Sequence, residues 1–189
     1  MNRPKTILKE DRFQVTIDRI CHQLIEQYDN FEETAIIGIQ QRGTLFAERI
    51  FEQLRKINKR YKPHYGKLDI TFFRDDFRTR DEPLQASSTE IDFLLEDKRV
   101  ILVDDVLYTG RTVHAAIAAM QQFGRPRSVD LVVMVDRRFN RTFPIRSNYV
   151  GITVDALNED YVKVEWKQVE GKDRILFFTS EREQAGING

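Results

Sequence analysis

Residues 99–112 read RVILVDDVLYTGRT: an apolar run, Val100 to Val103, ends in two adjacent aspartates, and a polar turn follows. Asp104 and Asp105 repel each other beside a buried run, and nothing in folding asks for that. Thr109, Gly110, Arg111 and Thr112 lead into a segment with Val113, Ile117, Met120 and Phe123 at helical spacing, which predicts a helix over 112–123. VDLVVMV, residues 129–135, is the next apolar run. Strand, helix, strand in this order argues for an α/β fold with a central parallel sheet whose site lies at the carboxyl ends of its strands.

The same alternation extends toward the amino terminus. Residues 11–28 place Phe13, Ile17, Ile20, Leu24, Ile25 and Tyr28 on one helical face. AIIGI, 35–39, is a short buried strand, and Gly43 opens a helix with Phe46, Ile50, Leu54 and Ile57 on one side. KLDITFFRDD alternates Leu68, Ile70 and Phe72 against polar neighbours, which predicts a strand ending in solvent. The polar, charged stretch that follows predicts a mobile loop over about 73–88, and long loops in compact domains are often lids. NYVGITV, YVKVEW and RILFF in the last forty residues predict a smaller antiparallel cap. No repeat, low-complexity segment or linker divides the chain, so one domain over 1–189 with a small subdomain is expected.

Composition narrows the function classes. Thirty basic residues balance thirty acidic ones in 189, so no global field draws the chain to nucleic acid or an anionic membrane, and any anion is held locally. The single cysteine, Cys21, excludes an internal disulfide, and three scattered histidines leave no zinc-type spacing. MNRPKTILKEDRF lacks the apolar core of a signal peptide and no apolar run is long enough to span a bilayer, so the cytoplasm is the expected compartment.

A strand that stops at Asp104 and Asp105 and passes through Thr109-Gly110 into a helix offers backbone amides and threonine hydroxyls to a phosphate monoester. The carboxylates suit a pair of sugar hydroxyls, or magnesium held through a ligand. Together they describe a ribose 5-phosphate site; the plain alternative is two acids that cap turns and the next helix. GIQQRG, 38–43, spaces Gly38 and Gly43 as a nucleoside-triphosphate loop does, but Thr44 and Leu45 stand where the lysine belongs. A short loop with Arg42 still holds a pyrophosphate by two-point contacts, the alternative being an ordinary turn with a surface arginine.

RVILVDDVLYTGRTVHAAI resembles the phosphoribosyl pyrophosphate signature of type I phosphoribosyltransferases. IGIQQRG, GKLDITFFRDD, DEPL, FGRPRSVDLVVMVDR and FPIRSNYVG extend the likeness toward those members that join uracil phosphoribosyl transfer to attenuation of pyrimidine operons. The resemblance implies a parallel sheet flanked by helices, a small hood from the C-terminal strands, with N-terminal residues a further candidate, and a mobile loop. It implies that Asp104 and Asp105 bind the ribose hydroxyls, with Mg²⁺ held indirectly, through substrate. Val106, Leu107, Tyr108, Thr109, Gly110, Arg111 and Thr112 would hold phosphoribosyl pyrophosphate at its 5-phosphate, and Gln41, Arg42 and Gly43 the pyrophosphate. Arg42 would act with the aspartates in catalysis, Arg74 would close with the loop, and Arg137 and Val162 would hold the base. An arginine at 137 also has an ordinary use, a salt bridge with Asp136 at a strand end.

Tyr108 stands where purine and orotate members commonly carry an acid, which favours a pyrimidine. The implied reaction makes UMP and pyrophosphate from uracil, in a homo-oligomer, dimer or tetramer, with a pyrimidine-operon leader RNA as a further partner. The chain departs from the regulators at Arg138, Phe139 and Asn140 and in the acidic ITVDALNED, where a basic stretch is usual. A nucleotide-sensing RNA regulator without turnover and a purine phosphoribosyltransferase remain the alternatives.

Overall fold

The computed structural model describes residues 4–74, 88–157 and 159–179. Its centre is β4, Arg99–Leu107, flanked by β2, Thr34–Ile39, and β5, Ser128–Arg137, with β3, His64–Leu68, and β6, Tyr149–Val154, at the edges. The order β3-β2-β4-β5-β6 is parallel throughout. A parallel sheet needs cover on both faces, which is why Val100 to Val103 are all fully buried. Alternation divides them: Ile101 and Val103 pack with Phe13, Ile17 and Ile20 of α1, Glu10–Tyr28, and Phe46 and Ile50 of α2, Arg42–Ile57. Val100 and Leu102 pack with Val113, Ala116 and Met120 of α3, Arg111–Met120, on the other face.

A second, antiparallel sheet forms a hood from β1, Lys5–Leu8, β8, Arg174–Phe178, and β7, Tyr161–Glu165, in the order β1-β8-β7. A short helix, α4, Lys167–Glu170, joins β7 to β8. Trp166 fixes this hood to the body: fully buried, it meets Phe13 edge-on at 5.1 Å and Phe46 at 5.6 Å, with the Arg49 guanidinium 5.3 Å from its ring centre.

Several expectations need correction. The strand before the loop ends at Leu68 instead of running on through Phe72, because the Asp69 carboxylate accepts the backbone N–H and hydroxyl of Thr71 and folds Thr71–Phe73 into a 3₁₀ turn. This leaves Phe72 69% exposed. Strand β4 does not stop at the aspartates but carries on to Leu107, which aligns with Asp136. NYVGITV joins the body as parallel β6 instead of the cap, since Gly151 lets it lie against Met134: a Cβ there would stand 2.4 Å from the Met134 carbonyl oxygen. The helix after Thr112 ends at Met120, and Ile117, expected inward, is 38% exposed, because Ala115, Ala116 and Ala119 take the buried face.

The edges of the main sheet are covered. Lys67 of β3 exchanges both backbone bonds with Glu90, and Arg19 of α1 donates to the carbonyls of Val150 and Gly151 in β6 at 2.9 and 2.6 Å. Among the described residues no helix is long and apolar enough to cross a membrane.

Trp166→Ala removes the side chain shared by hood and body. We expect a loss of about 3–5 kcal/mol in unfolding free energy, measured by urea denaturation followed by circular dichroism.

Candidate active site

Helix α2 leaves β2 on one face of the sheet and α3 leaves the neighbouring β4 on the other. The two connections diverge and open a crevice at the carboxyl ends of those strands, the place where such sheets bind ligands. Both sequence candidates, GIQQRG and the aspartate turn, meet there. The glycine of the first is required: a Cβ on Gly43 would stand 2.6 Å from the Val103 carbonyl oxygen and 3.0 Å from Asp104 Cα. Its absence lets the start of α2 close against the aspartates.

Asp104 is buried, 7% exposed, and its Oδ1 accepts the backbone N–H of Asp105 at 2.9 Å. Burial, and then the charge of Asp105, push its carboxyl well above the usual range, and the charge of Arg74 offsets part of this. Burial also raises Asp105, against the pull of Arg42, whose Nε lies 3.4 Å from Asp105 Oδ2. The same guanidinium reaches the hood, where Nη2 donates to the Val164 carbonyl at 2.5 Å and to Glu170 Oε1 at 2.7 Å. Gln41 sits exposed in the loop before α2.

The turn Tyr108-Thr109-Gly110 is held from behind. Gly110, at φ 86°, caps α3, and the N–H of Arg111, the first of the helix, donates to the Thr109 hydroxyl at 3.4 Å. Thr109 accepts the N–H groups of Thr142 and Phe143 on its carbonyl at 2.9 and 3.1 Å. Arg141 donates to the carbonyls of Tyr108, Leu107 and Arg137 and pairs with Asp136, which also accepts the Ser147 hydroxyl at 3.0 Å. Thr112 is half-buried in the first turn of α3, and Arg111 is exposed beside it. Arg141 escaped the sequence reading because it stands in an irregular segment with no periodicity; its one signal is an arginine a few residues after a strand end.

A cavity of about 550 Å³ opens beside the turn, bounded by Arg42, Asp105, Val106, Tyr108, Arg137 and Val162, with Glu159, Asp160 and Lys163 at its wall. Arg137 is 4% exposed, its guanidinium carbon 3.7 Å from the Tyr108 ring centre and its Nη2 donating to the Leu157 carbonyl at 3.0 Å. The salt bridge with Asp136 is not made, since Arg141 takes that carboxylate. Arg137 Nε is buried with no acceptor among the described residues. Strand β7 is a sheet edge, and its Val164 carbonyl turns away from β8 to meet Arg42; the two-residue period of a strand turns the backbone of Val162 the same way, toward the cavity. The structure thus brings the expected ribose, pyrophosphate and base residues to one crevice. Arg78, Arg80 and the rest of the expected loop, residues 75–87, lie outside the described residues.

The phosphoribosyl transferase domain model matches residues 5–168. The chain belongs to the phosphoribosyltransferase family. Within it, the chain is 42% identical over 182 residues to the bifunctional protein PyrR of Deinococcus radiodurans, covering 96% of this chain and 98% of that one. It is 39% identical over 183 residues to that of Caldicellulosiruptor bescii, covering 97% and 100%. A hypoxanthine phosphoribosyltransferase structure from Trypanosoma cruzi superposes with a TM-score of 0.70 at 15% identity, over 94% of this chain and 97% of that one, a likeness of fold.

In this phosphoribosyltransferase the raised Asp104 carboxyl sets a pH dependence. The folded state keeps a proton that the unfolded state releases above pH ~4, so ligand-free stability falls as pH rises through the folded value. Asp104→Asn removes that loss. Its melting temperature should exceed the parent's at neutral pH and converge with it near pH ~4, as scanning calorimetry at several pH values would read.

Proposed function

We propose that this chain transfers the phosphoribosyl group of phosphoribosyl pyrophosphate to uracil, releasing pyrophosphate and forming UMP. The observation that carries the reading is one cavity lined both by Asp105 and Arg42 and by Arg137 stacked on Tyr108. Asp104 and Asp105 accept the ribose hydroxyls, the amides and hydroxyls of Thr109 to Thr112 receive the 5-phosphate, and Gln41, Arg42 and Gly43 hold the pyrophosphate. The buried Nε of Arg137 meets a base carbonyl, and the β7 edge at Val162 offers backbone groups to the ring. Tyr108 and Val162 give the base site an apolar wall and no acid of the kind purine members commonly carry on this turn.

The bond from the anomeric carbon to pyrophosphate breaks, the bond to the ring nitrogen forms, and the nitrogen's proton leaves to solvent. Positive charge gathers on the ribosyl carbon as the leaving group departs. The carboxylates beneath the sugar stabilise it, and Arg42 stabilises charge on the pyrophosphate. Buried Asp104 and half-buried Asp105, with no group of three or more metal-binding side chains among the described residues, fit a cation that arrives with its substrate. Asp104 and Asp105 would hold Mg²⁺ indirectly, through the substrate, and the ion would supply positive charge toward the departing pyrophosphate. Arg74 contributes further positive charge on the Asp104 side.

Incubation with Mg²⁺, phosphoribosyl pyrophosphate and each nucleobase in turn should release pyrophosphate with uracil. Release with a purine alone would sink the assignment. Arg137→Ala should lower kcat/KM for uracil by roughly 10- to 100-fold, the worth of a hydrogen bond from a charged donor.

A regulatory role accompanies the enzyme in this proposal: a homo-oligomer, dimer or tetramer, binds a pyrimidine-operon leader RNA in response to UMP. The acids of the 155–160 segment do not stand against it, because Asp155 is paired with Arg138 at 2.5 Å while Glu159 and Asp160 face the base cavity. Leader RNA should be retained on the protein with an affinity that falls steeply with salt and shifts with UMP. Retention indifferent to both would leave the enzyme alone.

A further inference from the structure

Arg42 is tied to a carboxylate far away in sequence that the family signature does not include. Glu170 ends α4 of the hood, and its side chain is 16% exposed. Its Oε2 accepts the backbone N–H of Trp166 at 2.8 Å, while Oε1 lies 2.7 Å from Arg42 Nη2 and 3.6 Å from Lys163 Nζ. One oxygen is anchored to the backbone at a fully buried residue, so the other is held at the guanidinium with little freedom.

We propose that Glu170 is a displaceable counter-ion that competes with pyrophosphate for Arg42 and so weakens retention of the product. This rests on the reading above that Arg42 belongs to the pyrophosphate site. Two anions in hydrogen-bond reach of one guanidinium repel each other and divide its donors, so each lowers the affinity for the other. The exchange leaves neither partner stranded. When Arg42 turns to pyrophosphate, Glu170 keeps Lys163 and the Trp166 amide, and Arg42 keeps the neutral Val164 carbonyl. After release, Glu170 takes the guanidinium back. Glu170 is a positioning residue here: it acts on the reaction through Arg42.

The test is a cycle of four proteins, parent, Glu170→Gln, Arg42→Ala and the double variant, with pyrophosphate binding measured by calorimetry in the presence of Mg²⁺. Glutamine keeps an oxygen for the Trp166 N–H, and emission of Trp166, the single tryptophan, reports whether the hood is seated in each variant. Glu170→Gln should bind pyrophosphate roughly five- to tenfold more tightly than the parent, and product inhibition of the forward reaction should sharpen by the same factor. In the Arg42→Ala background the gain should shrink below about twofold. Unchanged or weaker binding by Glu170→Gln with the hood seated, or a gain that persists undiminished without Arg42, would overturn the proposal. A parent that binds no pyrophosphate would overturn both this and the transfer reading. A parent that binds pyrophosphate but turns over no base would sink the transfer reading alone, and the same cycle would still decide the role of Glu170.

Discussion

The structure is organised around the cost of placing two carboxylates at the carboxyl end of a strand buried on both faces. Apolar packing drives β4 into the centre of the sheet and carries Asp104 in with it. Two ionised acids there repel each other in a medium that screens poorly, and burying them unpaired would cost several kcal/mol. The neighbouring elements answer that cost in turn. Gly43 admits the start of α2 to contact, Arg42 then comes within reach of Asp105, and the backbone N–H of Asp105 satisfies one oxygen of Asp104. What remains uncompensated is a demand for hydroxyls or a cation, which a ribose phosphate brings with it.

The hood completes what the sheet begins. Its strands come from both ends of the chain, β1 pairing with β8, and Trp166 wedges them against α1 and α2. That wedge fixes where the β7 edge runs, and the edge supplies Val162 to the base end and the Val164 carbonyl to Arg42. Arg42 is therefore shared between body and hood, and the same residue that neutralises the strand end also fastens the lid of the crevice.

The parts of this arrangement legible in the sequence are those that local chemistry dictates. Periodicity marks α1, α2 and the buried strands, and an acid pair followed by Thr-Gly marks a ligand turn because no packing argument wants it. Strand ends were less legible. The Asx turn at Asp69 cuts β3 short, and β4 runs past its acids, since ladder bonds to β5 continue whatever the side chains prefer. The placement of NYVGITV turned on a glycine contact with Met134 that spans the sheet. Arg141 and Glu170 were invisible for a different reason: Arg141 stands in an irregular segment and Glu170 meets Arg42 far away in sequence, so no spacing announces either.

The covered margins of the main sheet carry a consequence for assembly. A bare β-edge is a template on which any extended peptide can add a strand, and long exposed edges invite indiscriminate aggregation. Here Glu90 occupies backbone groups of β3, and the Arg19 guanidinium sits across β6. An incoming strand therefore meets donors and acceptors already taken at these places. The main sheet thereby keeps its margins for its own chain and resists growth into open-ended ribbons.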